Sequence, residues 1–136
     1  MNDLFTMPES NNTISKSEDT RSIIIIEDDD LLRHSIGRFL SLYEYRIELF
    51  ASAEEALRTI VGNPGDIIIT DFNLPGLNGL ELTRIMRNKG ITTPVVMISA
   101  IQGADFEQTA ISLGIEAVFT KPINVEELKD TIERIM

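Results

Sequence analysis

The sequence has 136 residues, which is the size of one domain, and 43% of them are hydrophobic, which is enough for a buried core. Its net charge of −10 argues against direct binding to nucleic acid or to an anionic membrane surface. The absence of cysteine excludes disulfides and zinc–thiolate sites and suits a cytoplasmic location. No apolar stretch is long enough for membrane insertion, and the N-terminus lacks the pattern of a signal peptide.

Polar residues dominate the start of the chain, and strand and helix patterns alternate after it. Residues 1–21 are rich in Ser, Thr, Asn and acidic residues, which predicts a mobile N-terminal tail. Residues 22–136 predict a single domain. Its predicted strands are Ser22–Ile26, Arg46–Phe50, Asp66–Thr70, Pro94–Ser99 and Ala117–Thr120.

Helix patterns fill the segments between these strands and follow the last one. They run over Leu31–Leu40, from a capping box at Ser52–Glu55 to about Val61, from Asn78 to about Asn88, over Ala104–Leu113, and from Asn124 to the C-terminus. The face that we expect the first helix to bury holds Leu31, Leu32, Ser35, Ile36, Phe39 and Leu40. Five β–α repeats with short loops predict an α/β fold with a doubly wound parallel sheet of five strands. Spacing alone leaves the strand order open.

Carboxylates follow two of the most apolar strands. Ile23–Ile26 runs into Glu27 and Asp28, and the third strand ends on Asp71. Ligands of open parallel sheets bind beyond the carboxyl ends of the strands, so neighbouring strands would bring these acids into one pocket. Carboxylates this close resist ionising together, and oxygen ligands suit Mg²⁺. The pattern therefore predicts a magnesium site.

Two further polar residues stand at strand ends. Ser99 ends the fourth strand and Lys121 follows the fifth. A carboxylate can attack phosphorus, a lysine and a metal can neutralise phosphoryl oxygens, and a hydroxyl can hydrogen-bond to the product. The set favours phosphoryl chemistry.

The order of these motifs resembles that of a known family. Four stretches carry the resemblance: Ile23–Asp28, Asp66–Leu82 (DIIITDFNLPGLNGLEL), Pro94–Ala100 (PVVMISA) and Leu113–Pro122 (LGIEAVFTKP). Together they resemble the receiver domain of bacterial two-component response regulators, over nearly all of the chain after the tail. The resemblance implies a flavodoxin-like sheet of order 2-1-3-4-5, as in the chemotaxis regulators.

The same resemblance implies a role for each site residue. Asp71 would be the phosphoacceptor, Lys121 would pair with the phosphoryl group, and the Ser99 hydroxyl would move toward it. The metal, Mg²⁺ with Mn²⁺ as an alternative, would be bound by Asp28, by Asp71, by the backbone carbonyl of Asn73 and, mostly through water, by Glu27.

Some polar residues near these motifs have simpler structural explanations. Asp29 or Asp30 would cap the first helix and oppose its dipole. His34 lies opposite the apolar face of that helix and is expected to be exposed. Gly76 and Gly79 are expected to serve a turn and close packing.

The sequence departs from the family pattern in two places. Val118 stands where receivers commonly have a Tyr or Phe that couples to the hydroxyl, and Phe119 next to it should point to the other face of the sheet. Ser99 replaces the more usual Thr. The chain also lacks the basic residues of a charged dimer face and has no output domain after the fifth helix, which indicates a stand-alone or an excised receiver.

The resemblance implies a phosphorylated signalling switch rather than an enzyme on an outside substrate. The chain would catalyse its own phosphorylation and dephosphorylation, with a sensor histidine kinase or phosphotransfer protein as donor. A downstream protein would bind the face formed by the fourth helix, fifth strand and fifth helix, and a homodimer formed on phosphorylation stays open.

Two alternatives compete with this function. The first is an interaction module of the same fold that does not depend on phosphorylation, which Val118 leaves open. The second is an aspartyl-phosphate hydrolase of the haloacid dehalogenase type. Such enzymes carry the nucleophile on the first strand and a second Asp two residues later, where this chain has Asn73.

Overall fold

The computed structural model describes residues 20–136, which form five strands and five helices in strict alternation. The elements are β1 (Ser22–Ile26), α1 (Asp30–Ser41), β2 (Arg46–Phe50), α2 (Ala53–Gly62), β3 (Ile67–Asp71), α3 (Gly79–Asn88), β4 (Val95–Ser99), α4 (Ala104–Ser112), β5 (Ala117–Thr120) and α5 (Val125–Ile135). The tail predicted for residues 1–21 lies outside the described residues except for Thr20 and Arg21. None of the described helices is long and apolar enough to cross a membrane.

The strands form one parallel sheet of order β2-β1-β3-β4-β5. This confirms the doubly wound fold and the strand order implied by the resemblance. The three central strands are buried almost throughout, as expected for β-branched runs covered on both faces. β3 begins one residue later than predicted, but Asp66 still pairs with β1 through backbone and side-chain hydrogen bonds to Ser22.

Side chains that alternate along the strands fill two separate cores. One core contains Ile24, Ile26, Ile68, Val95 and Met97 together with residues of α2, α3 and α4. The other contains Ile23, Ile25, Ile67, Ile69, Val96 and Ile98 together with residues of α1 and α5. Because successive strand residues point to opposite faces, each central strand contributes to both cores. Both faces of the sheet are therefore covered by helices.

The helix starts agree with the predicted capping residues. Asp29 caps α1, Asn124 caps α5, and Asn78 forms a reciprocal capping box with Glu81 at α3. The capping box predicted at Ser52 was half wrong. Ser52 accepts a hydrogen bond from the Glu55 amide, but within residues 20–136 the Glu55 carboxylate does not accept one from the Ser52 amide.

The expected buried face of α1 was too wide. Ile36 and Leu40 are buried, and Leu32 and Phe39 pack against them, but Leu31 is 79% exposed and Ser35 is exposed. Leu31 lies at the edge of the helical face and lines a groove beside the loop that follows β5. The apolar residue of the first turn thus faces outward near the polar edge of the sheet.

Candidate functional site

The predicted site residues meet at the carboxyl edge of the sheet. Glu27 and Asp28 follow β1, Asp71 ends β3, Ser99 ends β4 and Lys121 follows β5. β1, β3, β4 and β5 lie side by side in that order, so residues far apart in the chain become neighbours. This edge is where open parallel sheets bind their ligands.

Three carboxylates form the centre of the site. Glu27, Asp28 and Asp71 each offer an oxygen, and these oxygens lie within 4.8 Å of one another. Glu27 and Asp71 are buried, whereas Asp28 is exposed. Like charges at this range repel one another. The arrangement suits a hard divalent cation with oxygen ligands.

Lys121 provides the positive charge of the site. Its Nζ donates to Asp71 Oδ2 at 3.0 Å and lies 3.5 Å from Glu27 Oε1. Burial lowers the pKa of Lys121, but the hydrogen bond to Asp71 and the charges of Asp71 and Glu27 outweigh it, so the pKa is raised. The lysine therefore stays protonated at neutral pH and partly offsets the carboxylates.

The surroundings of Glu27 oppose its ionisation. Burial raises its pKa to about 7, and the charge of Asp71 adds to this, against the opposing effects of the Asp29 amide and the charge of Lys121. Within residues 20–136, its Oε1 is the only buried side-chain nitrogen or oxygen atom without a hydrogen-bond partner. A buried carboxylate oxygen that lacks a hydrogen-bond partner and lies beside two other acids fits a Mg²⁺ site. The ion or one of its water ligands would be the partner that this oxygen lacks.

Ser99 and Asn73 lie near the carboxylates with little direct contact to them. The buried Ser99 hydroxyl accepts from the Ile101 amide at 2.8 Å and donates to the Ile101 carbonyl at 3.2 Å. Its hydrogen bonds thus go to the loop that leads into α4. Asn73 is exposed, and its amide lies 3.4 Å from Asp71 Oδ1, which is a long contact.

Comparison with known proteins decides the family. The model of the response regulator receiver domain matches residues 23–133. The chain belongs to this family. Receiver domains are phosphoacceptor signalling switches of two-component systems, they work with sensor histidine kinases and downstream effectors, and they generally bind Mg²⁺ in an acidic pocket.

Two curated relatives show the extent of the match. The transcriptional regulatory protein CiaR of Streptococcus pneumoniae is 34% identical over 114 residues, which are 84% of this chain and 50% of that protein. The sensor histidine kinase RcsC of Salmonella typhi is 28% identical over 126 residues, 93% of this chain and 13% of that protein. The chain therefore spans half or less of the length of these relatives.

Solved structures share the fold. The chemotaxis response regulator CheY4 of Vibrio cholerae superimposes with a TM-score of 0.79 at 25% identity, over 86% of this chain and 99% of that one. The receiver domain of the Francisella response regulator 1452 gives a TM-score of 0.81 at 25% identity, over 85% and 96% of the two chains.

The receiver has no aromatic residue on β5 facing α4, but aromatic packing is present nearby. Val118 packs against the core that contains α4, and Phe119 packs against the opposite core, as the alternation predicted. In the same core, Phe72 and Phe106 pair edge to face, with ring centroids 5.1 Å apart and planes at 80°. This pair links the residue after Asp71 to α4, and no motif in the sequence predicted it.

Other residues around the site divide into those predicted and those missed. Asp29 accepts from the Leu32 amide as a helix cap, and His34 is exposed with its Nδ1 2.8 Å from the Asp30 carbonyl. Arg33 was missed: its Nη1 donates to the Glu27 carbonyl at 2.8 Å, and its Nη2 pairs with Asp30. Its position six residues after Glu27, on the first turns of α1, was the available signal.

Gly79 is required by close packing, as expected. A Cβ at this position would lie 2.6 Å from the Asp71 carbonyl oxygen and 3.0 Å from the Met97 methyl group. The backbone of Asp71 cannot move away, because the next amide, that of Phe72, donates to Ile98 in β4. α3 thus starts directly against the site strand.

Proposed function

We propose that this receiver accepts a phosphoryl group on Asp71 from a partner phosphohistidine in a Mg²⁺-dependent reaction. The observation that carries the proposal is the buried Asp71 carboxylate, 3.0 Å from Lys121 Nζ and clustered with Glu27 and Asp28. One nucleophile, one fixed cation and a set of metal-ligating oxygens are the parts that phosphoryl transfer needs.

The transfer exchanges one bond to phosphorus for another. An Asp71 carboxylate oxygen attacks phosphorus, the bond from phosphorus to the donor imidazole nitrogen breaks, and that nitrogen keeps the electron pair. Lys121 stays protonated and pairs with a phosphoryl oxygen, and the Ser99 hydroxyl turns from Ile101 to donate to another. Bound Mg²⁺ would supply further neutralisation of the phosphoryl oxygens. Water attack on phosphorus would later release phosphate and restore Asp71, so the chain acts only on itself.

We propose Asp28, Asp71 and the carbonyl of Asn73 as direct ligands of Mg²⁺ and Glu27 as a ligand acting mostly through water. The acid cluster and the unpartnered Glu27 oxygen support this set. The same oxygen ligands would accept Mn²⁺.

A sensor histidine kinase or phosphotransfer protein is the proposed donor, and it must approach over the carboxyl edge of the sheet. An open groove of 390 Å³ lies there, lined by Asp29, Leu31, Leu32, Ser35, Lys121, Pro122 and Ile123. Its mostly apolar lining and the 79% exposure of Leu31 support docking of a partner beside the lysine.

The proposed output surface consists of α4, β5 and α5, where phosphorylation would change the binding of a downstream protein or a second copy of the chain. A shallow cavity of 250 Å³ lies between α4 and β5, and Ile111 beside it is 68% exposed. Residues 22–136 are the proposed receiver unit, with residues 1–21 as a segment before it. The cytoplasmic location stays a prediction.

The alternatives receive less support from the site. A haloacid dehalogenase-type hydrolase would need an acid where Asn73 stands, and its nucleophile would follow the first strand rather than β3. An interaction module independent of phosphorylation would have no use for three acids clustered around a lysine. An unchanged binding profile with and without phosphorylation would favour that module.

Incubation with acetyl phosphate and Mg²⁺ followed by intact mass spectrometry tests the proposal. Wild type should gain one phosphoryl group, and Asp71→Asn should gain none. Asp28→Asn is a useful second variant, because it keeps Asp71 and should label slowly. Full labelling of Asp71→Asn would place the acceptor elsewhere and reject the assignment.

A further inference from the structure

The loop between β3 and α3 carries Asn73 and makes few hydrogen bonds of its own. Its ends are fixed, since the Phe72 carbonyl accepts from the Gly79 amide at 2.8 Å and Asn78 caps α3. Between these ends, Leu74 is buried, but Asn73, Pro75 and Gly76 are exposed. The orientation of the Asn73 carbonyl therefore depends on what holds the middle of the loop.

One side chain from another element holds it. Glu54, in the first turn of α2, accepts a hydrogen bond from the Leu77 amide through Oε2 at 2.8 Å. Within residues 20–136, Glu54 is the only side chain from outside the segment β3 to α3 that forms a hydrogen bond with this loop. Its helix is firmly anchored, because Ala53 and Ala56 on either side are fully buried in the core.

Gly76 is fitted to the same carboxylate. A Cβ on Gly76 would lie 2.3 Å from Glu54 Oε2, and its φ of +76° is one that residues with side chains rarely adopt. Two successive loop residues, Gly76 and Leu77, therefore lie against the same Glu54 oxygen atom. The hydrogen bond from Leu77 also lowers the pKa of Glu54, so the acceptor stays ionised at neutral pH.

We propose that Glu54 is a positioning residue, which holds the β3–α3 loop so that the Asn73 carbonyl faces the cation of the Asp71 site. The inference rests on the proposed function, because it assigns the carbonyl to that cation. Outer partners that orient a ligand commonly control metal affinity without touching the metal. Glu54 would therefore change the affinity for Mg²⁺ more than the chemistry at saturating Mg²⁺.

The test compares three variants of the full chain by calorimetric titration with Mg²⁺. Glu54→Ala should raise the dissociation constant roughly three- to tenfold, the effect of losing one orienting hydrogen bond. Glu54→Gln keeps an acceptor oxygen for the Leu77 amide and should stay within about twofold of wild type. Glu55→Ala is the matched control, since it removes the same charge from the next residue of the same exposed turn.

Two further measurements separate positioning from simple destabilisation. Amide exchange at Leu77 should become faster in Glu54→Ala alone, and acetyl phosphate labelling should recover toward the wild-type rate when Mg²⁺ is raised. Equal Mg²⁺ affinity in Glu54→Ala and Glu55→Ala would overturn the inference, as would a failure of Glu54→Gln to restore it. If the wild type binds Mg²⁺ but takes no phosphoryl group, the proposed function is rejected. The Mg²⁺ affinities of the Glu54 and Glu55 variants would still test the role of Glu54.

Discussion

Single residues of the site carry a balance between burial and charge. Glu27 and Asp71 are almost fully buried, yet one partly exposed lysine is the positive charge beside them. Burial of two acids beside a single cation leaves Glu27 with a pKa of about 7. In the absence of metal, the ionised Glu27 carboxylate therefore opposes folding at neutral pH.

Glu27→Gln should stabilise the metal-free protein in a pH-dependent way. The carboxyl has a pKa of about 7 in the folded chain and its ordinary value of 4.5 in the unfolded one, so the folded state binds more protons between these values. Wild-type stability should thus fall as pH rises from 4.5 to 7 and then level off. The variant should lack this loss and exceed wild type by about 1–3 kcal/mol above neutral pH.

Urea unfolding in a chelator at a series of pH values measures this difference. Glu55→Gln, on an exposed part of α2, is the control and should show no such trend. A stability difference between Glu27→Gln and wild type that is the same at pH 5 and pH 8 would contradict the assigned pKa.

Among the five helices of residues 20–136, α4 has the fewest buried residues. Its only fully buried residue is Ala110, and Gly103 at its N-terminus provides no side-chain cap. The aromatic pair of Phe106 and Phe72 connects this helix to the proposed phosphorylation site, and the Ser99 bonds to Ile101 connect the loop before the helix to it. An element with few buried contacts changes position at low cost, which suits α4 to the output surface.

Ser99→Ala should separate phosphorylation from the response of α4. The hydroxyl is not needed for attack by Asp71, but it provides a differential contact that appears only when the phosphoryl group is present. The variant should take up the phosphoryl group and yet show smaller amide NMR shifts over Ala104–Ser112 when beryllofluoride is added. Val118→Ala is the comparison and should change stability with little effect on those shifts. If Ser99→Ala shows shifts of wild-type size, the response of α4 depends on Lys121 and on ordering of the loop, and not on the Ser99 hydroxyl.

At the scale of the whole molecule, the proposed cation site exists only in the folded chain. It is assembled from the ends of β1 and β3 with Lys121 after β5, and Asp71 and Lys121 are 50 residues apart in sequence. A ligand that binds only the native state stabilises it by mass action. Mg²⁺ should therefore act on global stability and not only on the site.

Mg²⁺ should raise the melting temperature of wild type, with a gain of about 2.7 kcal/mol at a hundredfold excess over its dissociation constant. Asp28→Ala should lose most of this gain and melt higher than wild type without metal, because one repelling charge is gone. Asp130→Ala, which removes an exposed acid on α5, is the control and should keep the full response. An undiminished Mg²⁺ shift in Asp28→Ala, measured by calorimetry or circular dichroism, would exclude Asp28 as a ligand.

The sequence by itself determined the local structure and indicated which residues are the proposed reacting groups. Runs of β-branched residues and the capping residues Asp29, Ser52, Asn78 and Asn124 act within a few residues, so their elements were predicted with bounds that shift by about one residue. The acids at the ends of β1 and β3 were predicted as site residues for the same reason, because the end of a buried strand is itself a local signal. The strand order came from the resemblance to receivers and not from spacing.

The tertiary structure decided which side chains meet. Lys121 reaches Asp71, Glu54 reaches Leu77, and Phe106 reaches Phe72 only after crossover helices have set the order of the strands. These contacts join residues that no short sequence pattern connects. The exposure of Leu31 and the bonds of Ser99 to Ile101 were decided in the same way, because burial and hydrogen-bond partners depend on neighbouring elements and not on the residue alone.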